Sequence, residues 1–309
     1  MRNGDRVIVL LLLVLAGPLG AQAPPVPQTQ PPAPALTQAQ APDIGTDIWL
    51  ARFTASGLEG PINITARPGY DNQPAFTPDG KGILFTRRDG NQTDIYLYDF
   101  TSRSSAATPV TRTPESEYSP TVTPDGEAIS VIRVEADMTQ RLWRFDRKGQ
   151  NPQLVLRDVK PVGYHAWSSD VLLALFVLGE PNTLQVADSR TGRSRVIAQR
   201  IGRSIHRIPG RDTISVLHIE GKTRTIKELD TKTRRLTPIV RALDSAEGDY
   251  AWTPDGAILM SDGKRLMRWK QGGEWTEFAD LSALGLAGAS RMAVSPDGKW
   301  LALVVPDGR

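Results

Sequence analysis

The chain reads as an all-β protein, a single six-bladed β-propeller whose N-terminal strands complete the last blade. Three observations predict this. A four-residue turn recurs along the 309 residues, and each copy is followed by a short apolar run. The spacing between copies is close to constant. A second apolar column, in register with the turns, recurs at the same period.

The turns come first. Thr77-Pro78-Asp79-Gly80 precedes Ile83-Leu84-Phe85, and Thr123-Pro124-Asp125-Gly126 precedes Ile129-Ser130-Val131-Ile132. Thr253-Pro254-Asp255-Gly256 precedes Ile258-Leu259-Met260, and Ser295-Pro296-Asp297-Gly298 precedes Trp300 to Val304. Pro presets φ at the second turn position, Asp suits the third and Gly the next, so each copy reads as a hairpin turn between strands. Two weaker copies fill the gap, Ser168-Ser169-Asp170 before Val171 to Leu175, and Pro209-Gly210-Arg211-Asp212 before Ile214 to Leu217. With Pro78, Pro124, Ser169, Pro209, Pro254 and Pro296 taken as equivalent, the steps are 46, 45, 40, 45 and 42 residues. Steps of that size with four strands per unit are the period of a propeller.

Third-strand positions then carry Ile95, Leu142, Leu184, Ile226 and Leu266, and Asp99, Asp146, Asp188 and Asp230 close four of those strands. An apolar column at the blade period is expected where each sheet packs on its neighbours. The sixth unit has only two strands, Arg291–Ser295 and Trp300–Val305. Asp47–Arg52 matches the third-strand pattern with Ile48 in the column, and Gly60–Thr65 supplies a fourth strand. The expectation is that this pair closes the ring and removes two exposed edges.

Ahead of the propeller (46–309), residues 1–23 read as a signal peptide, with Arg2 and Arg6, an apolar run from Val7 to Ala16, and the small-x-small site Ala21-Gln22-Ala23. That run is too short to span a bilayer as a helix. Residues 24–45 are rich in Pro, Gln and Ala and read as a disordered linker. The expected location is periplasmic or secreted. Cleavage after Ala23 removes a net +1 from the chain's +3 and leaves +2, spread along the sequence. That is a solubility charge and no nucleic-acid footprint. The absence of cysteine excludes disulfides, thiolate catalysis and Cys-based metal sites.

The repeated turn, followed by a strand such as Asp94-Ile95-Tyr96-Leu97-Tyr98-Asp99, resembles the propeller of the TolB-like, WD-like repeat family over roughly residues 46 to 305. The resemblance implies the fold and an envelope binding role. It also extends to the propellers of prolyl-type peptidases. Two departures limit what it implies. Where TolB has a folded α/β domain, this chain reads as a tether, and it carries no Gly-x-Ser-x-Gly nucleophile elbow.

The loops leading into the innermost strands hold the candidate binding residues, because propellers bind at the channel mouth. They are Tyr70, Asn72, Glu117, Tyr118, Tyr164, His165, His206, Asp249, Tyr250 and Arg291. Tyrosine recurs in four of the six loops and offers contact area with one polar tip. The alternative role for these tyrosines is to cap the core. His165 and His206 read as equivalent positions in adjacent blades, and with Glu117 or Asp249 they make a conceivable metal set. Glu115, Glu117 and Asp249 are a conceivable hydrolytic carboxylate set, against the simpler reading as solvated loop acids. Asp79, Asp125, Asp255 and Asp297 are turn residues.

The function that follows is a non-catalytic, exported module without cofactor or metal. It binds a protein, peptide or glycan of the envelope, acts as a monomer, and inserts stably in no membrane. The alternative is a metal-dependent hydrolase or lyase with its site in the channel.

Overall fold

The computed structural model describes residues 45–102, 106–244 and 248–307. The stretch read as a signal peptide and, apart from Gly45, the stretch read as a linker lie outside them. The described residues contain 24 strands and no helix, and so no helix long and apolar enough to cross a membrane.

Strands β1 (Thr46–Thr54) and β2 (Gly57–Asn63) come first and belong to the last blade. Blade one is β3 (Asp71–Phe76), β4 (Gly82–Asp89), β5 (Gln92–Asp99) and β6 (Thr108–Pro109). Blade two is β7 (Ser116–Val122), β8 (Ala128–Val134), β9 (Gln140–Asp146) and β10 (Gln153–Leu154). Blade three is β11 (Val162–Trp167), β12 (Leu172–Val177), β13 (Thr183–Asp188) and β14 (Ser194–Gln199). Blade four is β15 (Ile201–Arg207), β16 (Ile214–Glu220), β17 (Thr223–Leu229) and β18 (Leu236–Arg241). Blade five is β19 (Tyr250–Trp252), β20 (Ile258–Ser261), β21 (Arg265–Trp269) and β22 (Thr276–Asp280). Blade six takes β23 (Arg291–Val294) and β24 (Trp300–Pro306), then β1 and β2, in the order β2-β1-β24-β23. Closure therefore occurs as the sequence predicts, with Thr46 to Arg52 paired against Pro306 to Trp300.

The turns show why the motif repeats. The Thr77 hydroxyl donates to Asp79 Oδ1 at 2.6 Å, and the same carboxylate oxygen accepts the Lys81 amide at 3.1 Å. Gly80 sits at φ 69° and donates its amide to the Thr77 carbonyl at 2.8 Å. Only glycine adopts that φ without strain. The pattern returns at Thr123/Asp125 and Ser295/Asp297, each at 2.6 Å, and at Thr253/Asp255. These hydroxyl donors hold all four carboxylates below the usual aspartate range.

The core consists of six apolar layers, each shared by two neighbouring sheets. Leu84 and Ile95 of blade one meet Ile129, Val131 and Phe145 of blade two, and Ile132 and Leu142 of blade two meet Leu173 and Leu175 of blade three. The third-strand column, Ile48, Ile95, Leu142, Leu184, Ile226 and Leu266, is fully buried. Two polar seams reinforce the layers. The Ser130 hydroxyl of β8 donates to the Thr121 carbonyl and accepts from Trp167 Nε1 at 2.9 Å, with His165 Nε2 at 2.7 Å. Since the serine proton is used, His165 bonds as its Nε2–H tautomer. Ser215 of β16 repeats the device, accepting from the Tyr250 hydroxyl and from Trp252 Nε1, both at 2.8 Å.

Candidate functional site

Counting back five residues from each equivalent turn position gives one polar side chain per blade: Gln73, Ser119, Tyr164, Ser204, Asp249 and Arg291. All six line a single cavity of about 160 Å³, so it lies where the innermost strands converge on the ring axis. In blades one to four local backbone geometry aims them there. The innermost strands of blades one to four break register at this point, between Asn72 and Ala75, Tyr118 and Thr121, Val162 and Tyr164, and Ile201 and Ile205. Gln73 and Ser119 adopt φ of 57° and 53°. A bulge of this kind re-aims a side chain out of the pleat.

The ring is wired by polar contacts. Gln73 Oε1 accepts the Ser119 amide at 2.8 Å and the Thr86 hydroxyl at 2.7 Å. Arg203 forks onto Asp249, with Nε at 3.1 and 3.2 Å from the two oxygens and Nη2 at 2.5 Å from Oδ2, and the Ser204 hydroxyl donates to Asp249 Oδ1 at 2.9 Å. Arg291 of blade six reaches the opposite side of the ring. Its Nη2 donates to the Tyr164 hydroxyl of blade three at 2.6 Å, and its guanidinium carbon lies 5.0 Å from that ring's centroid. Tyr164 is held edge-on by Phe176 at 5.6 Å. Burial alone would lower the Arg291 guanidinium, but the neighbouring Tyr164, Asp249 and Tyr70 outweigh it and hold its pKa above the usual arginine value.

The sequence-predicted residues divide into three groups. Tyr164, His165, His206, Asp249, Tyr250 and Arg291 all line the channel cavity. Tyr70 and Tyr118 line an adjoining groove of about 720 Å³ between blades one and two. The Tyr70 phenol is pushed up to about 12 by burial, with Arg291 pulling it down and Tyr164 and Tyr118 pushing it up. Arg88 lies 5.9 Å from the Tyr70 ring. Tyr118 also belongs to the core layer of blades two and three.

Asn72 and Glu117 are not among the residues lining either space. Buried Asn72 donates to the Thr46 hydroxyl at 3.2 Å and accepts the Gln73 amide at 2.8 Å, which ties β3 to β1. Glu117 is fully buried, accepts the Thr113 hydroxyl at 2.5 Å and lies 3.3 Å from Arg133 Nε. Burial pushes its carboxyl up to about 7, against the pull of Thr113 and Arg133.

His165 and His206 are not equivalent. His165 stands four residues before its turn position and pairs with Leu175, whereas His206 stands three before and pairs with Ser215. The equivalent of His165 is Tyr250, which occupies the same offset and the same serine seam. Burial holds His165 down to about 3 and His206 down to about 4, so both are neutral at pH 7. His206 meets the Tyr250 ring edge-on at 4.9 Å. The acids proposed to join them in a metal set are committed elsewhere, Asp249 to Arg203 and Ser204, and Glu117 to Thr113 and Arg133. Among the described residues no group of three or more His, Asp or Glu side chains is placed to hold a metal ion.

Gln73, Ser119, Arg203 and Ser204 line the cavity without being among the sequence candidates. The offset from the turn marks Gln73, Ser119 and Ser204, and the fork on Asp249 marks Arg203.

No family model matches the chain, and no curated protein matches it. Solved structures do match in fold. One, described as a TolB from Agrobacterium tumefaciens, is 15% identical with a TM-score of 0.69, over 86% of this chain and 99% of that one. TolB from Acinetobacter baumannii is 13% identical with a TM-score of 0.55, over 86% of this chain and 64% of that one. A puromycin-hydrolysing peptidase of Mycobacterium tuberculosis is 12% identical with a TM-score of 0.54, over 77% of this chain and 47% of that one. The chain spans less than two thirds of the last two proteins. Identities this low speak for the fold alone, and that fold is the six-bladed β-propeller.

Proposed function

We propose that the protein is an exported, non-catalytic binding module that takes an extended segment of an envelope protein, peptide or glycan at the mouth of its channel. The observation that carries the reading is the ring itself. Six blades of one repeating design present six positions to the axis, and neighbouring blades never place the same side chain there. A position that served only closure would repeat as the turns do. The adjoining Tyr70 and Tyr118 extend the polar-aromatic surface outward, in keeping with recognition by rigid aromatic side chains. Resemblance in fold to TolB structures fits a periplasmic location.

The test is affinity capture from envelope extract, with the wild-type protein beside Tyr70→Ala/Tyr164→Ala. A partner retained by the wild type and lost by the folded variant is the expected result. A partner captured equally by both would sink the channel-mouth assignment. N-terminal sequencing of exported protein should find Pro24 first.

A further inference from the structure

Three consecutive blades, four to six, bring two guanidiniums and one carboxylate to the cavity: Arg203, Arg291 and Asp249. Asp249 is fully engaged by the Arg203 fork and the Ser204 hydroxyl. Arg291, by contrast, has no carboxylate within ion-pair distance among the described residues. Its hydrogen-bond partner there is a phenol. A guanidinium has five donors, and its fork matches a carboxylate's two oxygens. Tyr164 accepts from Arg291, so the phenol's own proton remains free to donate to an anion beside it. His206 adds a buried Nε2 without a hydrogen-bond partner at the same cavity.

The shape of the site restricts what brings the anion. Arg291 and Tyr164 come from opposite blades and join across the axis, so an extended chain cannot thread past them. The cavity is small, about 160 Å³. It admits the end of a chain, not a folded domain or a continuous strand. An amino terminus would need a carboxylate partner, and Asp249 is already taken. We propose that Arg291 anchors the free C-terminal carboxylate of an extended peptide, with the Tyr164 hydroxyl as second donor. The proposal rests on the channel-mouth reading above and adds to it the polarity and the chemical identity of the bound end.

The test is an NMR titration of the mature protein carrying ¹⁵N-labelled arginine, with the Arg291 Nε–H signal identified by its loss in Arg291→Gln. The probes are N-acetyl-tetra-alanine as the free acid, the same peptide as its C-terminal amide, and digalacturonate. The acid should shift the Arg291 signal and bind at least about tenfold more tightly than the amide, as a charge-assisted fork requires. Arg291→Gln, checked for folding by circular dichroism, should bring the ratio to about one. Arg291→Lys, which keeps the charge and loses the fork, should retain part of it.

Equal affinity for acid and amide would overturn the proposal, as would a ratio that survives Arg291→Gln, or no response to the acid up to about 10 mM. Tighter binding of digalacturonate would overturn the peptide identity in favour of a sugar acid. If Tyr70→Ala/Tyr164→Ala loses its captured partner while acid and amide bind alike, the carboxylate assignment falls and mouth binding stands. A partner that ignores the tyrosine variant removes both.

Discussion

At the turns, blades one, two, five and six make the same bonds with nearly the same residues: a hydroxyl from Thr or Ser, a carboxylate two residues on, and a glycine at positive φ. Five residues upstream, those same blades carry Gln73, Ser119, Asp249 and Arg291. Both regions keep the blade period, and they use it differently. The turn solves a local geometric problem that every blade shares, so one solution repeats. The ring position faces five others across a common axis, so what matters there is the combination. The Arg291–Tyr164 strut exists only because blades three and six differ. A sixfold frame thus carries one asymmetric site, with repeated residues expected to set stability and unrepeated ring residues to set binding.

Four perturbations break or sharpen that division, in descending order of expected effect. Deleting residues 44–65 removes β1 and β2 and leaves blade six with two strands and an open edge. No folded monomer should survive on size-exclusion chromatography. A stable, monomeric deletion protein would show that ring closure is dispensable.

Within the repeat, Leu142→Ala empties a fully buried position of the third-strand column. Chemical denaturation should report a loss of about 2–5 kcal/mol.

The unrepeated Glu117 tests whether a buried group outside both column and ring affects stability. Its pKa near 7 in the folded protein lies above the ordinary 4.5. Between those values the folded state keeps a proton that the unfolded state has released, so stability falls as the pH rises through the window. The drop is about 3 kcal/mol across it, and Glu117→Gln should be free of this component. Denaturation curves at pH 5 and pH 7 for both proteins decide the matter, and parallel behaviour would show that Glu117 ionises normally.

The smallest stability effect belongs to Arg291→Gln. Losing one hydrogen bond and one cation–π contact is offset by removing a confined charge, so stability should change by no more than about 1 kcal/mol. A larger loss would move Arg291 from the binding side of the division to the structural side.

Most of the frame was legible from the chain alone, because a turn that needs Pro-Asp-Gly and a column that needs Ile or Leu leave the same letters in each blade. Ile48 could be placed in the last blade on that ground, 256 residues ahead of its partner Val304. The ring was harder to read. Its residues share an offset but no chemistry, and the bond that defines the site joins positions 127 residues apart. Glu117 illustrates the difficulty. It adjoins Tyr118, which lines the outer groove, but strand alternation turns its carboxyl into the blade beside Thr113 and Arg133. The offset of one residue between His165 and His206 is decided by which neighbour on the second strand each one faces.

The pairing of β1 with β24 also has a consequence for the way the protein is made. Trp300, the partner of Arg52, is synthesised about 250 residues later, on the order of 10–50 s at ordinary elongation speeds. Throughout that interval β1 can pair with β2 but keeps a bare edge where β24 will lie. Blades one to five can gather as they emerge, but the ring cannot lock until the final strand is delivered. The nascent chain therefore carries an exposed strand edge, a site for wrong pairing, until its last strand is made.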